Sequence, residues 1–377
     1  MAVNFEREVY CLLGLPFDAV DMPGVVNQLR QAAQERRPFL LSTPNLNWIV
    51  ACLADKEFRD SVTRSDLIIP DGMPLVWVAR LLGIPIRKRI AGSDVFEALK
   101  SDALEPISVF FFGGQKGVAD AACQRLNADS SGLRCVGFEF PGFQSIEEMS
   151  GYETIAKINA SRADFVVVSL GAKKGQIWIA RNRDRLSPPV ISHLGAVVNF
   201  IAGTASRAPV WIRNIGLEWS WRIKEEPVLL HRYFSDGFAF LWLLIARVVP
   251  HAWFNFRRKP TRQELISAAI DVQDHDGQIV LSLRGAWVQE NLRGVRESFS
   301  KAALTEKNVT LEMGGVRYVD SAFVGLVMLL QGHQKKHGRH LVMATVQKPV
   351  RRVIKYCCAE YLMLNEPSLN DKTMDVR

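Results

Sequence analysis

Cysteine is sparse and shows no paired spacing: the six residues Cys11, Cys52, Cys123, Cys135, Cys357 and Cys358 form no C-x-x-C. That argues against zinc ribbons and dithiol redox motifs; the scatter is expected of small buried apolar side chains in a reducing compartment. No basic-then-apolar leader opens the chain; MAVNFEREVYCLLGLPFDAV carries acidic residues early, so secretion is not expected. The longest apolar run, Gly237–Val249, contains Arg247 and falls short of the roughly 20 residues of a spanning helix. Neither a G-x-G-x-x-G nor a Walker loop is present, so nicotinamide and ATP sites are unsupported. No D-x-D metal motif is recognised at a strand end within residues 1–228. His333 and His337 share a helical face, but Gln334 stands where an H-E-x-x-H motif needs glutamate, and Lys335, Lys336 and Arg339 would repel a cation. No metal site and no cofactor are therefore expected.

What is present is a chain of 377 residues with a net charge of +8, long enough for two or three domains. Short apolar runs alternate with helical patterns over the first 200 residues. Strands are predicted at Val9–Gly14, Phe39–Ser42, Leu67–Pro70, Ser108–Phe112, Arg134–Phe138, Phe165–Leu170 and Val190–Leu194. Helices between them are predicted at 23–36, 46–55, 74–82, 93–101, 117–127, 149–161 and 176–186. This alternation implies a Rossmann-like α/β fold, a mostly parallel sheet with helices on both faces. Ligands then sit beyond the carboxyl ends of the strands. Thr43-Pro44-Asn45, Asp71-Gly72 and Gly113-Gly114 are expected to converge on that rim.

From about Arg207 the composition changes. Five tryptophans fall within Trp211–Trp253, interleaved with arginines, and FAFLWLLIARVV is flanked by His231-Arg232 and Arg257-Arg258-Lys259. An apolar helix with tryptophans and basic flanks suits a membrane interface, and a core helix is the alternative. The aromatics form one block rather than a spaced stacking platform, so nucleic acid is not the expected partner. After Pro260-Thr261, strands at 278–283, 309–313 and 340–345 and helices at 292–304, 322–331 and 350–356 predict a second, small α/β domain.

A carboxylate at the end of a buried strand suits a general base, which points to Asp71; capping the helix near Pro74 is its alternative role. Thr43 and Asn45 can orient a sugar or diphosphate, or simply begin the next helix. Gly113 and Gly114 let backbone approach a phosphate at a helix N-terminus. Arg87-Lys88-Arg89 can act as a cationic clamp or as a solvated face.

STPNLNWIV (42–50), DLIIPDGMPLVWVARLLG (66–83), RIAGSD (89–94), VFFFGGQKGVAD (109–120) and GTASRAPVWIRNIGLEWSWRI (203–223) together resemble the WecG/TagA/CpsF family of bacterial glycosyltransferases. The order and spacing agree over residues 8–233. The resemblance implies inverting, metal-independent transfer of N-acetylmannosamine or a related hexose from a UDP-sugar to a polyprenyl-diphosphate-linked acceptor. It places the enzyme on the cytoplasmic face of the membrane. By match, Asp71 is the general base, Arg89 the substrate-phosphate arginine, Thr43 and Asn45 the active-site polar pair, and Arg222 part of the start of an appendage that helps close the site; Gln176, Arg222 and Arg232 are expected as further substrate-binding residues. The chain departs from the family's G-x-P-K-Q-E-x-W at Gly175-Gln176, from its Phe-Asp at Val198-Asn199, and after Glu226-Pro227. The rival that these departures favour is a catalytically degenerate nucleotide-sugar sensor.

VTLEM (309–313) and VDSAFVG (319–325) resemble a STAS domain, the fold of anti-sigma-factor antagonists. That resemblance implies a docking surface for a protein partner and makes Ser321 a phosphorylation candidate; an ordinary capping serine is the alternative. The expected domains are 1–228 (catalytic), 229–262 (membrane-associating appendage) and 263–377 (STAS-like).

Overall fold

The computed structural model describes residues 3–214, 216–225 and 227–364. Glu226, and the part of the expected third domain after residue 364, lie outside the described residues. Two compact units are formed. One contains the described residues up to Asp18, Val78–Ile84, and those from Trp242 onward; the other contains Ala19–Trp77 and Pro85–Leu241.

The chain opens with a hairpin, β1 (Val9–Leu12) against β2 (Leu15–Asp18), paired antiparallel. This corrects the expectation that Val9–Gly14 enters the parallel sheet. Leu13 and Gly14 both take positive φ, 49° and 87°, which is the backbone of a two-residue hairpin turn. The strand therefore reverses at once instead of crossing over through a helix.

The parallel sheet belongs to the unit built around Ala19–Leu241. Its strands are β3 (Phe39–Ser42), β4 (Leu67–Ile68), β5 (Ile107–Gly113), β6 (Leu133–Glu139), β7 (Phe165–Ser169) and β8 (Val190–His193), in the order β4-β3-β8-β7-β5-β6. All pairs are parallel. Such a sheet must be covered on both faces, and the strand residues alternate accordingly. Leu41, Val109, Phe111, Phe165 and Val167 pack on one side with Val25, Leu29, Phe96 and Leu126 from helices. Leu40, Phe110, Phe112, Val166 and Val168 pack on the other with Ile155, Ile158, Trp178 and Ile179.

In the other unit, β9 (Ala269–His275), β10 (Gln278–Trp287), β11 (Asn308–Val319) and β12 (Leu341–Ala344) form a sheet in the order β12-β11-β10-β9. Only β9 runs antiparallel. The helix Ser321–Lys336 is buried along most of its length, and the hairpin lies against it at Gly325, where a Cβ would stand 2.9 Å from the Val9 carbonyl oxygen. Arg296 holds the hairpin's lead-in through the Arg7 carbonyl at 2.7 Å, and Phe5 meets Phe299 edge-on at 5.9 Å.

Two further expectations are corrected. Cys123, on the helix Val118–Asp129, and Cys135, on β6, are joined in a disulfide with Cα atoms 5.2 Å apart; the other four cysteines are free and buried. The apolar run around Gly237–Val249 is part of a 31-residue helix, Pro227–Arg257, long and apolar enough to cross a membrane by length and composition alone. The apolar run is bounded by Asp236 and Pro250, and the helix continues through both. A π-turn at Leu244–Val248 precedes Pro250, whose missing N–H and bulky ring disturb the regular ladder. Only 17% of its most apolar window is buried, so it is not a core helix.

Candidate active site

The site is built where β4 and β3 end. Backbone bonds stitch the two exits together: Ile69 N–H donates to Ser42 O at 3.0 Å, and Asp71 N–H to Pro44 O at 3.0 Å. This sets Asp71 beside Thr43-Pro44-Asn45. Among the described residues no hydrogen bond ends on the Asp71 carboxyl, so the helix-capping alternative is not realised. Asp71 is only partly open to solvent, and the protein packed around it is the main cause that raises its pKa to about 6; Arg89 and Arg222 oppose the rise, while Glu218 and Asp94 add to it. At pH 7 such a group is roughly tenfold more ionised than protonated, and so can accept a proton.

Arg89 bonds Asp94 at 3.0 Å and pairs with Glu218. Burial disfavours its charge, but Asp71, Glu218 and Asp94 outweigh that and raise its pKa. Asp94 lies in the first turn of the helix Gly92–Lys100 and gathers two more guanidinium groups, Arg207 at 2.6 Å and Arg213 at 2.8 Å. Arg222 stands 3.9 Å from Glu218 and 5.9 Å above the Phe200 ring. Four arginines thus face three carboxylates. Arg207 and Arg213 each also keep a buried Nε–H with no hydrogen-bond partner among the described residues. A buried donor left unpaired is costly, and an anionic ligand is the group best suited to satisfy two of them together.

Thr43 is buried, and its side chain packs against Gly92. Any side chain at Gly92 would collide with Leu194, so the helix carrying Asp94 can approach the rim only because residue 92 is glycine. Asn45 caps the helix Leu46–Ala54, its Oδ1 accepting from Trp48 N–H at 3.2 Å. Its amide nitrogen is left over from that cap.

The remaining expected residues are placed differently. Gly113 and Gly114 do lie at the end of β5, with φ of 101° and 84°, but a Cβ on Gly113 would come within 2.5 Å of Ser169 O. Gly114 N–H donates to that same oxygen at 2.6 Å, so it is not free to bind a phosphate. Gln176 is fully buried and gives its amide to Ser42 Oγ (2.9 Å) and Ser61 O (3.2 Å); it props β3 rather than facing a ligand. Arg232 is exposed and lies 5.2 Å from the Tyr233 ring centroid. Ser321 is nearly buried at the start of its helix, but Asp320 is the cap: its carboxylate accepts from Ala322 N–H (3.0 Å) and Phe323 N–H (2.9 Å). The capping role expected of Ser321 therefore belongs to its neighbour.

Sequence reasoning passed over several residues. Asp94, Arg207, Arg213 and Glu218 all lie inside the quoted motifs, yet only the fold shows that they meet. His193, at the end of β8, donates from Nε2 to Leu170 O at 2.6 Å, since a carbonyl can only accept. Burial lowers its pKa and keeps it neutral. Its ring occupies the space beside Gly175, where any Cβ would collide with it. The glycine that replaces the family's usual residue thus has a local steric reason. Asp236 is buried as well, and Asn47 Nδ2 donates to its two oxygens at 3.3 and 3.1 Å. Asn47 also helps line a cavity of about 400 Å³ with Ile146, Gly171, Lys174 and Ile177.

Residues 10–252 match the family model described as "Glycosyl transferase WecG/TagA/CpsF family", and residues 270–359 match "Mlab, STAS domain". Similar proteins include the N-acetylglucosaminyldiphosphoundecaprenol N-acetyl-beta-D-mannosaminyltransferase of Bacillus spizizenii, 31% identical over 184 residues (48% of this chain, 70% of that protein). The enzymes of the same name from Bacillus subtilis (28% over 189 residues; 50% and 72%) and Staphylococcus aureus (23% over 214 residues; 56% and 82%) are also similar. An anti-sigma factor antagonist from Mycobacterium paratuberculosis matches at 22% identity and a TM-score of 0.23, over 28% of this chain and 90% of that one.

Proposed function

Because the chain belongs to the WecG/TagA/CpsF family of glycosyl transferases, we propose that it moves an N-acetylmannosamine-type sugar from a UDP-sugar to a polyprenyl-diphosphate-linked sugar. Asp71 takes the proton of the attacking acceptor hydroxyl. The acceptor oxygen bonds to the anomeric carbon as the bond from that carbon to the UDP oxygen breaks, which inverts the centre. The negative charge that builds on the departing diphosphate is met by Arg89 and by the unspent donors of Arg207 and Arg213, with Arg222 adding field at the same place. Thr43 and the free amide of Asn45 hold sugar hydroxyls.

The observation that carries this reading is a carboxyl with no hydrogen bond among the described residues, poised near neutrality by burial, beside an arginine cluster with donors to spare. Exposed Phe234, Phe238, Trp242, Ile245, Trp253 and Phe256, with Arg257, Arg258 and Lys259 following, support attachment to the inner surface of the cytoplasmic membrane, where a lipid-linked acceptor resides. The STAS domain is the natural docking point for a protein partner, and Ser321 its candidate phosphorylation site.

The test is UDP release by the full-length protein with a panel of UDP-sugars and a short-chain polyprenyl-diphosphate-sugar. Release that requires acceptor and is lost in Asp71→Asn supports the transferase. UDP-sugar binding without release by any donor supports the rival sensor.

A further inference from the structure

The helix Pro227–Arg257 contains a single acidic residue, Asp236. An ordinary surface helix turns its charges outward and its aromatics inward. Asp236 reverses that pattern, although His231 and Arg232 in the same turns stay exposed. Phe234 and Phe238 are 72% and 77% exposed, whereas Asp236 between them is 6% exposed. Burying a carboxylate is costly unless it is hydrogen-bonded, so a specific partner must justify this arrangement. Asn47 is that partner, donating to both carboxylate oxygens. Burial raises the Asp236 pKa against the opposing effects of Asn47 and Arg232.

Asn47 has a second role. It stands in the first turn of the helix Leu46–Ala54, immediately after Thr43 and Asn45, and it lines the 400 Å³ cavity beside Gly171 and Lys174. One amide side chain therefore connects the rim of the site to the outward-facing aromatic helix.

We propose that Asp236 and Asn47 form a latch that seats the aromatic helix on the rim, making both of them positioning residues for a lipid-borne acceptor. The proposal rests on the transferase reading for its substrate but not for its geometry. Lipid that receives Phe234 and Phe238 holds the helix from outside, and the latch holds it from inside. Each contact makes the other cheaper, because two sites that bias one element are coupled reciprocally.

The experiment uses the full-length protein and two readouts. Hydrogen exchange is followed in the amides of residues 230–241. Loss of a hydrogen bond to a charged group should speed their exchange about tenfold or more in Asp236→Ala and in Asn47→Ala, and no further in the double variant. Initial rates are then measured with the acceptor either in vesicles containing anionic phospholipid or as a water-soluble short-chain analogue. In Asp236→Ala the KM for vesicle-borne acceptor should rise about tenfold while kcat and the KM for UDP-sugar change less than about twofold. Asp236→Asn, which keeps an acceptor oxygen facing Asn47, should restore most of the loss. Unchanged exchange in both single variants, or losses that multiply in the double variant, would overturn the latch. So would an equal loss with the soluble acceptor. If the wild-type protein transfers no sugar, the transferase reading fails, and the exchange measurement still decides the latch.

Discussion

Replacing Asp71 with asparagine should inactivate the protein and stabilise it at the same time. The carboxyl's pKa stands at about 6 in the folded chain against 3.8 for a free aspartate side chain, chiefly because of burial. At 1.36 kcal/mol per pKa unit, the ionised carboxylate costs the fold about 3 kcal/mol at most. Asp71 is partly open to solvent, and screening reduces this to about 1–2 kcal/mol. The sign follows from a raised carboxyl pKa. Below the unfolded value both states hold the proton and no cost exists; as pH rises towards 6 the unfolded chain ionises first, and the cost is complete above it. Asp71→Asn should therefore raise unfolding free energy by about 1–2 kcal/mol at pH 7.5, with the gain vanishing near pH 4. Transfer should fall by about 10²–10⁴-fold, the usual worth of a positioned base. Urea denaturation across pH, read beside UDP release, measures both. Undiminished turnover, or a variant less stable than wild type at every pH, would refute the reasoning.

Other perturbations follow from the same geometry. Gly175→Ala should destabilise by about 1–3 kcal/mol through collision with His193, and His193→Ala in the same chain should recover part of it, as denaturant midpoints would show. Asp94→Asn should free Arg89, Arg207 and Arg213 from a shared anchor and raise the KM for UDP-sugar about tenfold or more, measurable in initial rates. Replacing Phe234, Phe238 and Trp242 with serine should release the protein from anionic vesicles on sedimentation; each side chain removed forfeits about 1.5–3 kcal/mol of burial in lipid.

Much of the parallel sheet was legible because its strands are continuous apolar runs separated by helical periods. FVVVS and ISVFFFG have no other plausible place than a sheet buried on both faces. The loops of the site were legible for a related reason: polar residues directly after such strands must lie at its carboxyl rim. What escaped notice was non-local. Nothing in the spacing of Asp94, Arg207, Arg213 and Glu218 reveals that they meet, since Asp94 is separated from Arg207, the nearest of the other three in sequence, by 113 residues. The edge strand β9 (AIDVQDH) is largely exposed and too polar for its pattern to register. The first strand was located correctly but assigned to the wrong sheet, because the two-residue turn at Leu13-Gly14 was not read as a hairpin signal. Asp236, directly before the apolar run, carries no sequence signal; only its burial against Asn47 marks it out.

The most direct test of the central claim is the mass of the acceptor. A short-chain polyprenyl-diphosphate N-acetylglucosamine is incubated with the full-length protein and UDP-N-acetylmannosamine, and the lipid product is analysed alongside the UDP formed. The acceptor should gain one N-acetylhexosamine unit for each UDP released, and Asp71→Asn should abolish both. An acceptor of unchanged mass with every UDP-sugar offered, despite measurable binding of the nucleotide sugar, would contradict it.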